Sequence, residues 1–355
     1  MVGLETRTRQ SPSRGLSYHR RVDAHAFPVT GRQAELRPLF LLSMPRAGST
    51  LLQRLLSSHS AVSTTAEPWV LLPPLWSLRR DGAFSTYSHR EVFRGIDDLI
   101  PHLRGGRQAY LDAVAAFGMH LYRAASGAGV RYFLDKTPRY ALVASDLFDA
   151  FPDARFVFLW RNPLAVAASI VDTWMAGRWQ LHHHKVDLYA GLDALISAAG
   201  AHPQAYGLRY EDLVSDPRTQ LRCLVDFLDI PWEDGLVDAH GSVTLPGRLG
   251  DPTRRERRIV DTRSINRWPK TLASPLRRRW AHGYLDWLGP DRLATMGYAL
   301  SDLRAQLDHP PLRHDLVMTD AYDAAKSAMW SVVEPQSVRS KVAAVRAGRR
   351  IYGHT

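Results

Sequence analysis

The amino-acid sequence predicts an α/β protein, a central parallel sheet flanked by helices and followed by a helical C-terminal extension. Three observations carry that expectation. The apolar run 39–42 passes through a glycine turn into Leu51, Leu52, Leu55 and Leu56, which are spaced as one face of a helix. The same order recurs at 156–160, where Asn162 is a good helix N-cap and Pro163 suits the first helical position. Strand-like runs near 62–65, 131–135 and 206–210 join those at 39–43 and 156–160, with helical stretches between. In such a fold ligands bind outside the carboxyl ends of the strands.

Composition sets the bounds. The chain has 355 residues, 45% of them hydrophobic and 23% charged, as in a globular protein with a real core. Cys223 is the only cysteine, so neither an internal disulfide nor a cysteine-built metal site is possible. No stretch approaches the roughly 18 apolar residues of a membrane span. The first residues lack the apolar centre of a secretory signal, so a cytoplasmic location is expected. The formal net charge is +11, and only five of the 46 basic residues are lysine. Arginine suits bidentate anion recognition, but a basic balance serves a nucleotide, a nucleic acid or an acidic membrane alike.

In chain order, residues 1–30 read as a flexible basic arm without apolar periodicity. The first strand then runs into Met44-Pro-Arg-Ala-Gly-Ser-Thr50. Gly48 allows a tight backbone, Ser49 and Thr50 place hydroxyls on the first helical turn, and Arg46 sets a cation beside unpaired amides. Strand, glycine loop and helix start together make a P-loop-like anion cradle. It is not a Walker A loop, because Gly-Lys-Ser/Thr is missing and the cation precedes the glycine. His59 closes the helix, where a polar helix end explains it more simply than catalysis does.

The second strand ends at Pro68, with Glu67 the single acid among small and apolar residues. A carboxylate just past a strand's carboxyl end faces the ligand crevice. Residues 70–130 are the least legible, apart from an amphipathic helix over 109–125; Trp69, Trp76 and Tyr87 are candidate acceptor-pocket walls. The third strand ends at Asp135-Lys136. A lysine there is placed to stabilise the bridging oxygen of a departing phosphate.

The fourth strand ends at Arg161, and Ser169 lies two turns into the following helix. A forked guanidinium and a hydroxyl suit phosphate oxygens. The run His182-His-His184 invites a metal, but consecutive helical residues point apart and no acid partners them, so no metal is expected. The fifth strand enters Arg209-Tyr-Glu-Asp-Leu213, and Asp216-Pro217 starts a helix with Leu221, Leu224, Val225 and Leu228 on one side. Arg248, Arg254, Arg255, Arg257 and Arg258 form a charge run that reads as solvated surface. Residues 276–307 look helical, and the tail beyond has further helical periodicity and a basic end.

Pro45-Arg-Ala-Gly-Ser-Thr-Leu-Leu52 resembles the 5′-phosphosulfate loop of sulfotransferases that use 3′-phosphoadenosine-5′-phosphosulfate (PAPS). That loop is often Pro-Arg/Lys-Ser-Gly-Thr-Thr, so Ala47 and Ser49 are departures. Arg161 and Ser169 are similar to the family's 3′-phosphate pair, and Asp135-Lys-Thr-Pro138 to a motif with a lysine on the departing phosphate. Ser264-Ile-Asn-Arg-Trp268 is similar to a late loop, commonly Ser-Ile-Gly-Arg-Trp, that covers the nucleotide. The spacing from Arg46 to Glu67 is similar to that between loop arginine and catalytic glutamate in tyrosylprotein sulfotransferases.

The resemblance covers about residues 36–300 and leaves 301–355 as a helical extension. It implies a sulfotransferase fold and sulfuryl transfer from PAPS to a small-molecule or peptide hydroxyl, by in-line displacement without a metal. It further implies Glu67 as general base, with Arg46 and Lys136 stabilising charge. Arg46, Ala47, Gly48, Ser49, Thr50, Arg161, Ser169, Ser264 and Arg267 are the nucleotide-binding set. Nucleic acid is not an expected partner, and the acceptor and oligomeric state stay open. The alternatives are a P-loop-type nucleotide kinase, which lacks its lysine and magnesium acid here, and a non-enzymatic basic nucleic-acid-binding protein.

Overall fold

The computed structural model describes residues 35–80, 88–238 and 265–330, with single residues at 245, 342 and 346. The N-terminal arm, Tyr87, the arginine run from Arg248 to Arg258 and Ser264 lie outside the described residues.

Five strands, β1 Arg37–Ser43, β2 Val62–Thr64, β3 Tyr132–Asp135, β4 Arg155–Trp160 and β5 Ala205–Arg209, form the sheet. All pairs are parallel, in the order β2-β3-β1-β4-β5. The central parallel sheet flanked by helices, expected from the alternating runs, is therefore the architecture present. β1 is central because it is apolar at nearly every position: beyond Arg37 the whole strand is buried. Alternate side chains serve opposite faces. Phe40, Leu42, Phe156 and Phe158 join one core cluster, while Leu39, Leu41, Val157 and Leu159 join the other, with Leu51, Leu52, Leu55 and Leu56 of helix Ser49–Ser57. Phe40 stacks on Phe156 across the strand pair at 5.3 Å.

The chain leaves β1 for β2 and β3 on one side and reaches β4 and β5 on the other. The order reverses at β1, and the crevice outside its carboxyl end is where such sheets receive ligands. Local chemistry sharpens the helix starts there. The Asn162 side chain accepts from the amides of Leu164 and Ala165 at the head of helix Pro163–Thr173, at 2.9 and 3.3 Å. Asp216 caps helix Pro217–Phe227 through the Thr219 amide.

Two helical stretches gain their bounds. The helix read over 109–125 begins earlier, as Gly106–Ala125. The stretch 276–307, helical as expected, holds two helices, Pro275–Thr295 and Leu300–Asp308. The first is itself broken where Gly289 takes φ 64° before Pro290, which has no amide to donate. A further helix, Val317–Trp330, follows.

Candidate active site

The loop after β1 forms a narrow cradle. Gly48 sits at the N-cap of helix Ser49–Ser57 with φ 97°, a conformation that favours glycine. A side chain there has no room, since an added Cβ would stand 2.3 Å from Cδ2 of Tyr210. The amides of Gly48, Ser49 and Thr50 open the helix, where no intrahelical acceptor exists for them. Ala47 is fully buried and joins the core, and its amide closes a turn onto the Met44 carbonyl at 3.3 Å. That inward orientation accounts for a methyl at this position.

Arg46 takes φ 65°, uncommon for a residue with a side chain. Its carbonyl accepts from Arg161 Nη1 at 2.7 Å, so the cation ending β4 braces the cradle's backbone. Its guanidinium reaches helix Pro163–Thr173, donating to Ser169 Oγ at 3.3 Å and Thr173 Oγ1 at 3.2 Å, and lies 5.5 Å from the Trp174 ring centre. Arg46 is therefore joined in one contact network with Arg161 and Ser169, which are distant from it in sequence. The Arg161 guanidinium lies 4.5 Å over the ring of Tyr210. The resemblance implies only a packing task for Tyr210, within the run Arg209-Tyr-Glu-Asp-Leu213. Tyr210 is packed, but directly beneath Gly48 and Arg161, and its position just after β5 was the available signal.

Across the cleft, Lys136 Nζ donates to Glu67 Oε1 at 2.5 Å. The lysine is 1% exposed and the glutamate side chain 13%, so this is an enclosed pair at the ends of β2 and β3. Trp69 Nε1 donates to Glu67 Oε2 at 3.2 Å. Behind the pair, Asp135 is fully buried and accepts from the hydroxyls of Tyr122, Tyr140 and Thr137. Burial pushes its carboxyl up to about 6 despite those donors. Burial also drives the Tyr122 and Tyr140 phenols well above their usual range.

Arg46, Gly48, Ser49, Thr50, Glu67 and Lys136 line one cleft of about 410 Å³, with Trp69, Trp174, Arg139, His184 and Asp187 on its wall. Arg139 grips Asp187 with two hydrogen bonds of 3.0 and 3.2 Å. Burial would raise that carboxyl, but hydrogen bonds from His184 and Arg139 outweigh it and hold it below the usual range. His182 is pushed down to about 4 by burial and by its neighbour His183. Among the described residues, no three His, Cys, Asp or Glu side chains gather as a metal site.

Other expected residues fall elsewhere. His59 is buried, its Nε2 donating to the Pro231 carbonyl at 2.7 Å and its Nδ1 accepting from the Ala61 amide at 3.0 Å. Both ring nitrogens thus fasten a helix end. Arg267 is exposed at the start of the short helix Trp268–Thr271, which is tied to helix Pro163–Thr173 by Thr271 Oγ1 on Asp172. The neighbouring Asn266 and Lys270 line a second hollow of about 650 Å³ with Asn162, Glu211 and Tyr298. Trp76 packs against the core, with Arg79 over its ring at 5.3 Å.

A parallel sheet thus carries an amide cradle and an enclosed acid–lysine pair around one cleft at its carboxyl edge. The chain belongs to the sulfotransferase family, whose family model matches residues 38–234. It is therefore a transferase by family. It is 29% identical over 331 residues to nodulation protein NoeE of Sinorhizobium fredii, covering 82% of this chain and 73% of that one. Protein-tyrosine sulfotransferase 1 of Danio rerio is 24% identical over 259 residues, 68% of each chain. Among solved structures, the sulfotransferase domain of the Synechococcus PCC 7002 olefin synthase is 21% identical, with a TM-score of 0.45 over 71% of this chain and 97% of that one. Among the described residues, no helix is long and apolar enough to cross a membrane.

Proposed function

We propose that this chain transfers the sulfuryl group of PAPS to a hydroxyl of a small-molecule or peptide acceptor, with Glu67 as general base. The observation that supports it most is the meeting of the cradle, Arg46, Glu67 and Lys136 around one cleft. When bound, PAPS supplies an activated sulfuryl group on a phosphate leaving group. The cradle suits its anionic end: helix-start amides converge, and Gly48 lets the backbone turn at φ 97° against the Tyr210 ring. Arg161 and Ser169 are the residues assigned to its 3′-phosphate. Arg267 and Ser264 are assigned to the late covering loop.

Each residue has a task that its position allows. Glu67 takes the acceptor's proton as its oxygen attacks sulfur. Lys136 and Arg46 hold charge that develops on the transferring and departing oxygens. The contact between Lys136 and Glu67 keeps an otherwise buried ammonium paired before the donor arrives. Trp69, Trp174 and Arg139, also on the cleft wall, are assigned to the acceptor. The relatives named protein-tyrosine sulfotransferases act on tyrosine, and a peptide acceptor is one of the two classes open to this cleft.

The test is Glu67→Gln, which keeps the shape and removes the basicity. Affinity for adenosine 3′,5′-bisphosphate should stay unchanged in calorimetry, while turnover with labelled PAPS falls about 10²–10⁴-fold. Normal turnover would remove Glu67 from the mechanism. Tight binding of magnesium–ATP without binding of adenosine 3′,5′-bisphosphate would instead return the kinase reading.

A further inference from the structure

The turn that carries Glu67 is fastened from beneath by a buried hub that uses no residue of the cradle. Asp135 accepts hydroxyl hydrogen bonds from Tyr122 at 2.6 Å, Tyr140 at 3.0 Å and Thr137 at 3.1 Å. An ionised carboxylate only accepts, so each hydroxyl turns its proton inward and leaves its lone pairs for others. Two of those lone pairs meet the acid's turn. Thr137 Oγ1 accepts from the Trp69 amide at 3.2 Å, and the Tyr140 hydroxyl accepts from the Leu71 amide at 3.1 Å.

Between these two bonds Trp69 takes φ 58°, a left-handed conformation that a bulky residue holds only when its surroundings enforce it. That conformation coincides with an indole turned back on the acid two residues earlier, with Nε1 on Glu67 Oε2 at 3.2 Å. On the strand side, Gln53 is wholly buried and its Nε2 meets Thr64 Oγ1, the Thr65 carbonyl and the Ala66 carbonyl at 2.9, 2.7 and 2.9 Å. The backbone is thus fixed immediately before and after Glu67.

We infer that Trp69 is a positioning residue for the Glu67 carboxylate, and that the Asp135–Thr137–Tyr140 hub sets the backbone of Trp69 for that task. The inference rests on the reading of Glu67 as general base. A base must lie within hydrogen-bond reach of the proton it takes. Lys136 grips one oxygen of Glu67, and the indole fixes the other edge, so the carboxylate has one orientation towards the cleft it lines.

The experiment compares Trp69→Phe and Thr137→Val in the wild-type and Glu67→Gln backgrounds. Trp69→Phe keeps a ring and removes the N–H. Turnover is expected to fall roughly 10- to 100-fold, with affinity for adenosine 3′,5′-bisphosphate and the melting temperature held. In the Glu67→Gln background the same change should add no further loss, because a residue that acts through the acid has nothing left to act on. Thr137→Val should repeat the pattern, and Thr137→Ser, which returns the hydroxyl, should restore turnover. Wild-type turnover in Trp69→Phe, or an equal loss with and without the acid, overturns the inference. If Glu67→Gln itself turns over normally, the general-base reading fails first. If only Glu67→Gln is slow, the positioning inference alone fails. Should Thr137→Val not fold, Trp69→Phe decides alone, since its half-buried indole stands on the cleft wall.

Discussion

At Gly48 the backbone and a neighbouring ring leave no freedom of substitution. An alanine would have to hold φ 97° and bring its Cβ to 2.3 Å from Tyr210. The left-handed conformation alone costs about 1–2 kcal/mol, and overpacking adds roughly 1–3 kcal/mol. Gly48→Ala is expected to abolish measurable calorimetric binding of adenosine 3′,5′-bisphosphate and to lower the unfolding midpoint. Asp135 makes a second test, through pH. Its carboxyl is raised from 3.8 to about 6, chiefly by burial, so between those values the native chain holds a proton that the unfolded chain has lost. Its contribution to stability therefore rises as pH falls through that window. His182, lowered to about 4, runs the opposite way, and its contribution cancels in a comparison of variants. Relative to Asp135→Asn, the wild type should gain in urea midpoint as pH falls from 7 to 4.5; parallel curves would deny the shift. The place of Arg46, Glu67 and Lys136 on the cleft was legible because each lies past the end of an apolar run, with Glu67 singled out by the resemblance. The hub was not, because Tyr122 comes from a helix in the least legible stretch and nothing local announces that its hydroxyl meets Asp135.

Among elements, the strands were read most closely, since a sheet covered on both faces writes itself as continuous apolar runs such as Leu39 to Leu42 within β1. Helix starts were legible where capping is chemical, as at Asn162-Pro163. The wall formed by Leu181–His184 and Val186–Gly191 was not, because it is a 3₁₀ turn followed by a π-helical turn with neither a 3.6 nor a 2.0 period to read. The join of cradle and helix Pro163–Thr173 sharpens one expectation. Each charge-assisted phosphate contact is worth about 1.5–3 kcal/mol, or roughly ten-fold or more in affinity. Ser169→Ala should cost about that in affinity for adenosine 3′,5′-bisphosphate. Arg161→Ala should lose more, because Arg161 also braces the Arg46 carbonyl at 2.7 Å. Equal affinities in all three proteins would move the 3′-phosphate site elsewhere.

For the whole molecule, the net charge of +11 is a poor guide to architecture, and individual buried pairs show more of it. The tail had no role legible in the sequence, because acids on an amphipathic helix read as a solvated face. Asp320 of helix Val317–Trp330 is instead fully buried, and accepts from Arg277 at 2.7 and 2.9 Å and from Ser274 at 2.6 Å. Arg277 also donates to the carbonyls of Gly177 and Thr271, at 2.8 and 3.1 Å. One guanidinium thus joins the tail helix, the turn after the cleft-wall residue Trp174, and the end of the helix that Arg267 begins. Removing one partner of such a pair leaves an uncompensated buried charge, at about 3–5 kcal/mol, whereas replacing both by apolar residues of similar volume is often close to neutral. Arg277→Met is therefore expected to lower the denaturant midpoint sharply. Arg277→Met combined with Asp320→Leu and Ser274→Ala should recover part of the loss, limited by the Gly177 and Thr271 carbonyls left without their donor. A single variant as stable as the wild type would mean that the tail is held by apolar packing alone.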